Sequence, residues 1–225
     1  MNDLNHIAYI MDGNGRWGLN KNKTRNYGHL AGVKTVKKIV EASISFNIPI
    51  ISFYVFSSEN WQRPTSEINY LFNLISIYFN KEISSINKNK IKIIISGRYK
   101  KLPVEIYRVL KDSVNKTKKN KKLIVNLAIN YGSKNEIIDA VRKINLKSQK
   151  LSEATINQNL YSNLPFPDIL VRTGGQKRLS NFMLWQLAYT EFFFLDKLWP
   201  DFSKKDLNSI IKNYYKIKRN FGGIQ

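Results

Sequence analysis

At 225 residues, with 43% hydrophobic and 24% charged side chains and no long Pro, Gly or Ser tract, the sequence excludes a disordered chain and reads as a single globular domain spanning residues 1–225. The absence of cysteine excludes disulfides and thiolate metal sites; any metal must sit on oxygen or imidazole ligands, which favours magnesium. A balance of 37 basic against 16 acidic residues, net +21, points to anionic partners or to a surface filled with Lys and Asn by compositional drift.

The first apolar run, residues 6–11 (HIAYIM), reads as a strand; its His, the preceding Asp3 and the following Asp12 argue against a signal peptide or an anchor. No stretch reaches the roughly 18 uninterrupted apolar residues of a spanning helix, so the expectation is a cytoplasmic protein. Residues 29–46 form a helix with Val33, Val36, Ile39, Val40 and Ile44 on one stripe, followed by a strand at 48–56 (IPIISFYVF). A long helix at 66–86 carries Leu71, Phe72, Leu74, Ile75, Ile77, Phe79 and Ile83 over more than one stripe, too wide for contact with a sheet alone. Then follow a strand at 91–96, a helix at 103–117, the basic turn Lys116 to Lys122, a strand at 123–129, and helices at 133–146 and 153–162. Strands at 168–171 and 192–195 come next, and a last helix at 203–220 is stopped by Gly222-Gly223. Short β-branched or aromatic runs alternating with helices predict an α/β domain with a six-stranded, mostly parallel sheet flanked by helices.

Ligands of such sheets bind beyond the carboxyl ends of the strands. The segments there are Asp12-Gly13-Asn14-Gly15-Arg16-Trp17, Ser57-Ser58-Glu59-Asn60-Trp61-Gln62-Arg63-Pro64, and Arg172-Thr173-Gly174-Gly175 leading to Arg178-Leu179-Ser180-Asn181. Gly-containing turns offer backbone N–H nests to anions, and Arg gives phosphate a planar fork that Lys cannot imitate. Of the nine arginines, Arg16, Arg25, Arg63, Arg172 and Arg178 fall in what read as loops. Gly13, Gly15 and Gly18 satisfy GxGxxG after a strand, but Arg16 and Trp17 crowd the turn where a helix should open. No acidic residue ends the second strand, which argues against a dinucleotide site. The same turn can hold a diphosphate on its backbone while Asp12 holds the metal; as a bland alternative Asp12 merely initiates a turn.

The segments HIAYIMDGNGRW, RNYGHLAG, FYVFSSENWQRP, NLAINYG, ILVRTGGQKRLSNFMLWQLAYTEFFF, LWPDF and FGG, in that order, resemble the successive signatures of the undecaprenyl diphosphate synthase family, the bacterial cis-prenyltransferases. The resemblance implies a homodimer of α/β subunits, each with a hydrophobic tunnel. It implies an enzyme that adds isopentenyl diphosphate to an allylic diphosphate, such as farnesyl diphosphate, with Z geometry. The expected product is a polyprenyl diphosphate serving as cell-wall lipid carrier, which would bring the enzyme to the inner face of the membrane. By match of motif, Asp12 is the catalytic and metal carboxylate, with Gly13, Asn14, Gly15, Arg16, Trp17, Arg25 and His29 around the allylic diphosphate. Arg172, Arg178, Leu179 and Ser180 are implied to bind isopentenyl diphosphate, and Glu191 to be a second Mg2+ ligand. Ser57, Ser58, Glu59, Asn60, Trp61 and Arg63 are implied to close over the reacting ends, and Leu123 to lie at the floor of the tunnel, with Val55 on its wall. The chemistry asks for such groups independently, because breaking an allylic C–O bond develops negative charge on the leaving diphosphate.

Asn60, often assigned as the base, is a neutral amide with no site for a proton near pH 7; an orienting role suits it better, with a diphosphate oxygen or Asp12 as acceptor. Beside Gly28, which suggests a turn, His29 has a structural role as its alternative, and Trp17 and Trp61 have core packing as theirs. Gln176 and Lys177 replace the acidic residue and His common in the family, Asn220 replaces an Arg before the terminal Phe-Gly, and Val55 replaces a smaller residue. Among rival classes, a specific nucleic-acid binder should show a basic stripe with interleaved aromatics or a reader motif, and neither occurs. Trans-prenyltransferases rely on DDxxD clusters, which are absent.

Overall fold

A computed structural model of the chain describes residues 3–219. Asn220 and the closing Gly222-Gly223 lie outside the described residues.

Six strands form one sheet: β1 (His6–Ile10), β2 (Ile50–Ser57), β3 (Ile91–Ser96), β4 (Leu123–Tyr131), β5 (Ile169–Arg172) and β6 (Glu191–Phe194), in the order β3-β4-β2-β1-β5-β6. The pairs β1/β5, β3/β4 and β5/β6 are parallel. Both faces of such a sheet are covered, so its inner strands are largely apolar: every residue of β1 and β5 is buried, the polar His6 and Arg172 included. The helices are α1 (Asn14–Asn20), α2 (Arg25–Ser45), α3 (Thr65–Lys88), α4 (Val104–Thr117), α5 (Ser133–Leu146), α6 (Glu153–Asn159) and α7 (Lys204–Tyr214).

The chain packs as two compact units, one of residues 3–51, 166–178 and 186–219, the other of Ser52–Pro165 and Leu179–Trp185. In the first, Tyr9 meets Trp199 and Phe202 edge-on, with ring centroids 5.9 and 6.2 Å apart. Burial raises the Tyr9 phenol far above its ordinary value, against a smaller lowering by its hydrogen bond with Ser43. In the second, Phe53, Leu110 and Leu123 are fully buried, and Phe182 stacks on Tyr54 at 4.5 Å. The wide apolar surface of α3 is accounted for in part by a neighbouring helix: α3 packs on both α4 and β3.

Two sequence expectations fail here for identifiable reasons. A helix does open directly after β1: Gly13, at φ 106°, caps α1, and Arg16 and Trp17 lie within it rather than in a loop. Crowding by Arg16 and Trp17 is therefore no ground against a dinucleotide site; that no acidic residue ends β2 is the ground that stands. The second helix begins at Arg25, so Gly28 and His29 are helical and no turn separates them. Gly28 is needed for close approach: a Cβ there would lie 1.8 Å from the carbonyl oxygen of Asn14, so any larger residue would force α1 and α2 apart.

Candidate active site

In the first unit the chain leaves β1 and places Asp12 at its carboxyl end. The Asp12 carboxylate is held by two guanidiniums: Arg16 Nη2 donates to Oδ1 at 3.1 Å and Arg172 Nη2 to Oδ2 at 3.0 Å. Its main-chain oxygen accepts the Thr173 hydroxyl at 2.8 Å and the Trp199 N–H at 3.0 Å, so side chain and backbone are fixed together. Arg16 also donates to the Gly174 carbonyl at 2.8 Å. That contact requires glycine: residue 174 has φ 87°, and a Cβ there would meet Arg16 Nη2 at 2.5 Å.

Arg172 is the unusual member. Its side chain is 4% exposed, and it spends its fork on Asp12 and on the Arg178 carbonyl. It ends β5 rather than standing in a loop. A buried cation costs several kcal/mol unless it is paired and hydrogen-bonded, and Asp12 is the anion that pairs it. Arg178 itself is exposed and bonds the Gln176 side chain. Arg25, the first residue of α2, lies against Gly15, where a Cβ would sit 2.7 Å from its Cζ. His29 follows one turn later on the same face of α2 and is half-buried. Asn14 donates to the Met11 carbonyl at 3.4 Å, while its buried Oδ1 lacks a hydrogen-bond partner among the described residues. The Trp17 indole N–H is spent on Asp201 at 2.7 Å, and its ring stacks on Tyr27 with Lys21 over it. That side chain braces α1 against α2 and has no donor left for a diphosphate.

Glu191 is not brought to Asp12 within one chain. It opens β6 in register with Ile169, which is itself in register with Ile7, so it sits at the amino end of the sheet, whereas Asp12 follows the carboxyl end. Its carboxylate lies 3.8 Å from Arg219 Nε, and Arg219 also binds Asp168 at 3.2 Å. Among the described residues no three His, Asp or Glu side chains converge to hold a metal. Magnesium nevertheless suits Asp12, because it commonly takes one or two protein carboxylates and completes its shell with water and substrate phosphate.

In the second unit, Ser57 ends β2 and a 3-10 turn follows over Ser58–Gln62. The Ser57 N–H donates to Asn60 Oδ1 at 3.1 Å, so the Asn60 side-chain carbonyl already serves as an acceptor. Glu59 Oε1 accepts from Asn181 Nδ2 at 2.7 Å. Burial pushes the Glu59 carboxyl upward, but hydrogen bonds from Asn181, its own main-chain N–H and the hydroxyls of Ser58 and Ser57 together hold it below the usual range. Trp61 donates to Asn130 Oδ1 at 2.9 Å and meets Phe56 and Phe72 edge-on, remaining 41% exposed. Arg63 is spent on Glu67 at 3.2 Å. Half-buried Leu179 and exposed Ser180 begin a run in which Ser180, Asn181 and Met183 all have positive φ; the Ser180 carbonyl accepts the Tyr54 hydroxyl at 3.2 Å. Asn130, Asn181 and Tyr54 fall within segments singled out from sequence but were given no role there, since no motif marks an asparagine that acts through a distant partner.

Residues 10–222 match the undecaprenyl diphosphate synthase family. The chain is 43% identical to an isoprenyl transferase of Rickettsia felis, over 99% of this chain and 95% of the relative, and 40% identical to one of Fusobacterium nucleatum, over 98% and 96%. Its fold superposes on lavandulyl diphosphate synthase from Lavandula x intermedia, solved with dimethylallyl diphosphate, with a TM-score of 0.94 at 31% identity, covering 97% of this chain and 98% of that one. A probable undecaprenyl diphosphate synthase from Campylobacter jejuni gives a TM-score of 0.87 at 35% identity, covering 99% and 100%. With its matching signatures spread from β1 to the C-terminal segment, the chain belongs to the undecaprenyl diphosphate synthase family of isoprenyl transferases.

Proposed function

We propose that this protein condenses isopentenyl diphosphate units onto an allylic diphosphate, farnesyl diphosphate foremost, with Z geometry, releasing a polyprenyl diphosphate such as undecaprenyl diphosphate. The observation that carries the reading is the Asp12 carboxylate shared between Arg16 and the buried Arg172. Both forks can transfer to phosphate oxygens when a diphosphate arrives, because guanidinium binds carboxylate and phosphate with the same bidentate geometry. Mg2+, when bound through Asp12 and the substrate phosphates, supplies charge that shields the leaving diphosphate. Arg16, with Arg25 beside Gly15, binds and orients the allylic diphosphate, and Arg172, Arg178 and Ser180 that of the isopentenyl unit. As the allylic C–O bond breaks, these cations stabilise the anion that departs. The new C–C bond then leaves a tertiary cation, which loses a proton from carbon 2 of the isopentenyl unit to a diphosphate oxygen. Asn60, its carbonyl tied to Ser57, orients the reacting ends by donating from its amide nitrogen.

The apolar product needs enclosure, since each exposed CH2 costs about 0.8 kcal/mol; α3 and β4 are the proposed walls. A second copy of the chain is the proposed partner. β6 is an edge strand of the sheet, and Phe192, Phe166 and Tyr189 are exposed at 43%, 41% and 66%, apolar surface of the kind that dimers cover. Among the described residues no helix is long and apolar enough to cross a membrane, so the proposed membrane contact is peripheral, through the product and the net charge of +21. The test is incubation with labelled isopentenyl diphosphate and farnesyl or dimethylallyl diphosphate, with and without EDTA, followed by sizing of the extracted lipids. EDTA-sensitive chain growth is expected; no labelled lipid from either primer refutes the reading.

A further inference from the structure

The segment Ser58–Gln62 is a short 3-10 turn, and such turns do not hold themselves in place: they are brief, poorly hydrogen-bonded and marginal in isolation. Ser57 caps it locally, its N–H bonded to Asn60 Oδ1 at 3.1 Å, and two further fixed points come from outside. Glu59 and Trp61, alternate residues of the turn, are each gripped by an asparagine that lies far away in sequence within the same compact unit.

The two asparagines share a geometry. Asn130, near the end of β4, has φ 48°, and Asn181 has φ 63°. The left-handed region is disfavoured for residues with a side chain, and asparagine is among those that tolerate it best. In each, both ends of the side-chain amide and the main-chain carbonyl are used. Asn130 Oδ1 accepts Trp61 Nε1 at 2.9 Å, its Nδ2 donates to the Arg98 carbonyl at 3.1 Å, and its own carbonyl accepts the Arg98 N–H at 3.1 Å. Asn181 Nδ2 donates to Glu59 at 2.7 Å, its Oδ1 accepts the Lys134 N–H at 2.9 Å, and its carbonyl accepts the Ser133 N–H at 2.8 Å. Neither amide can flip without setting donor against donor or acceptor against acceptor. The frame behind each is rigid: Arg98 is held bidentate by Asp139 at 2.8 and 2.8 Å, and Ser133 and Lys134 open the 14-residue helix α5.

We propose that Asn130 and Asn181 are positioning residues that clamp the 3-10 turn at two points, through Trp61 and Glu59, and so set Asn60 between them at the reacting ends of the substrates. The catalytic consequence rests on the condensation proposed above, whereas the clamp itself does not. A purely structural pair of asparagines would satisfy backbone groups and lower stability when removed, without selecting the chemical step.

The experiment uses Asn130→Gly and Asn181→Gly, because glycine keeps the positive φ without strain and deletes only the amide. Indole N–H exchange of Trp61 is followed by NMR in the full-length protein, its signal identified with Trp61→Phe. Exchange in Asn130→Gly is expected to accelerate at least about tenfold, and kcat of either variant to fall roughly tenfold while KM for the allylic diphosphate stays within about twofold. A second test reverses the polarity of one bond. Asn181→Asp sets two carboxylates face to face and should lose activity, and adding Glu59→Gln, whose amide can donate to the new carboxylate, should recover most of the kcat lost. Unchanged Trp61 exchange in Asn130→Gly overturns the clamp, as does a lowered Tm with kcat unchanged in both glycine variants, or failure of the reversed pair to exceed Asn181→Asp alone. If the parent protein shows no condensation, the proposed function fails instead, and the exchange measurement still decides the clamp.

Discussion

The turn after β1 and the turn after β2 follow neighbouring strands of one sheet, yet they are built from opposite materials. Around Asp12 the side-chain contacts are charged, a carboxylate between two guanidiniums, one of them buried. Around Asn60 they come from amides, hydroxyls and aromatic rings, and the carboxylate of Glu59 is met by a neutral donor. The contrast separates two tasks. Charged contacts that can be exchanged suit a site that takes up and releases diphosphate, because each fork swaps one anion for another at little net cost. Directional hydrogen bonds suit a segment whose proposed task is to hold a geometry, and the carboxylate of Glu59 is fixed there by neutral donors rather than by a cation it could exchange.

The strongest way to break this comparison is to remove the anion of the first turn. Asp12→Ala should cut turnover by at least about a thousandfold, the scale of losing a metal-anchoring and charge-organising group. The effect is not confined to turnover, because the Arg172 that pairs with Asp12 is buried. Without its partner the cation is left uncompensated, and a loss of about 2 kcal/mol is expected, less than for a fully enclosed pair because Asp12 is 29% exposed. For a chain of this length that is a Tm lowered by roughly 4–8 °C in calorimetry. Asp12→Asn should fall between wild type and Asp12→Ala in stability while remaining inactive; normal turnover in either variant would remove Asp12 from the chemistry.

The arginines sharpen the same side. Arg172→Lys should raise KM for isopentenyl diphosphate about tenfold and also lower Tm, since an ammonium cannot bridge Asp12 and the Arg178 carbonyl at once. Arg178→Lys should raise KM by less and leave Tm unchanged, because that side chain is exposed. Steady-state kinetics with both substrates varied distinguishes the two, and equal effects on Tm would contradict the assigned burial.

How much of this was legible beforehand follows from the same physics. The strands were, because parallel strands buried on both faces announce themselves as apolar runs; 91–96 is placed as read, and the others shift by a residue or two at one or both ends. The first helix was not, because Asn14–Asn20 holds two glycines and no apolar stripe, and only tertiary contact with α2 makes it a helix. The strands read at 6–11 and 192–195 already set Asp12 after one strand and Glu191 before another, and the register of β6 on β5 and of β5 on β1 shows that these are opposite ends of the sheet. Arg172 read as a loop residue because strand ends cannot be fixed to one position, and its burial is what makes it a partner rather than a free fork. Asn130 and Asn181 lie in segments the sequence marked, but their roles left no trace: their partners are 69 and 122 residues away, and a left-handed asparagine has no pattern in one sequence.

Between the two turns lies the question of the hydrocarbon, for which the proposed walls belong to the second unit. Leu123 is fully buried at the start of β4, and Val55 is half-buried near the end of β2. Leu123→Ala should lengthen the polyprenyl products and cost about 3 kcal/mol through the cavity it leaves. Val55→Leu should shorten them with little change in stability. Reversed-phase sizing beside the parent enzyme reads both, and identical distributions would place neither residue against the chain.

The smallest effect concerns the neutral side and asks whether it is neutral all the way down. Asn130 leans on Arg98, and Arg98 is fixed by Asp139, whose carboxylate also accepts the Tyr161 hydroxyl at 2.5 Å. The hydrogen bonds from Arg98 lower the Asp139 carboxyl most; burial opposes them, Tyr161 assists, and the result is about 2 against an ordinary 3.8. Because the folded value is the lower one, the unfolded chain takes up this proton first as pH falls. The stabilisation is therefore complete above about pH 4, declines between about pH 4 and pH 2, and is gone below that. A shift of this size corresponds to at most about 2 kcal/mol, reduced by the 21% exposure of the side chain. Asp139→Asn should accordingly lower Tm by a few degrees at pH 7, with the gap to wild type closing as denaturation is followed down to pH 2. If the Trp61 indole also exchanges faster in Asp139→Asn at pH 7, the ion pair is the anchor of the asparagine clamp. Protection equal to wild type would show instead that the main-chain bonds between Asn130 and Arg98 hold that end of the clamp without it.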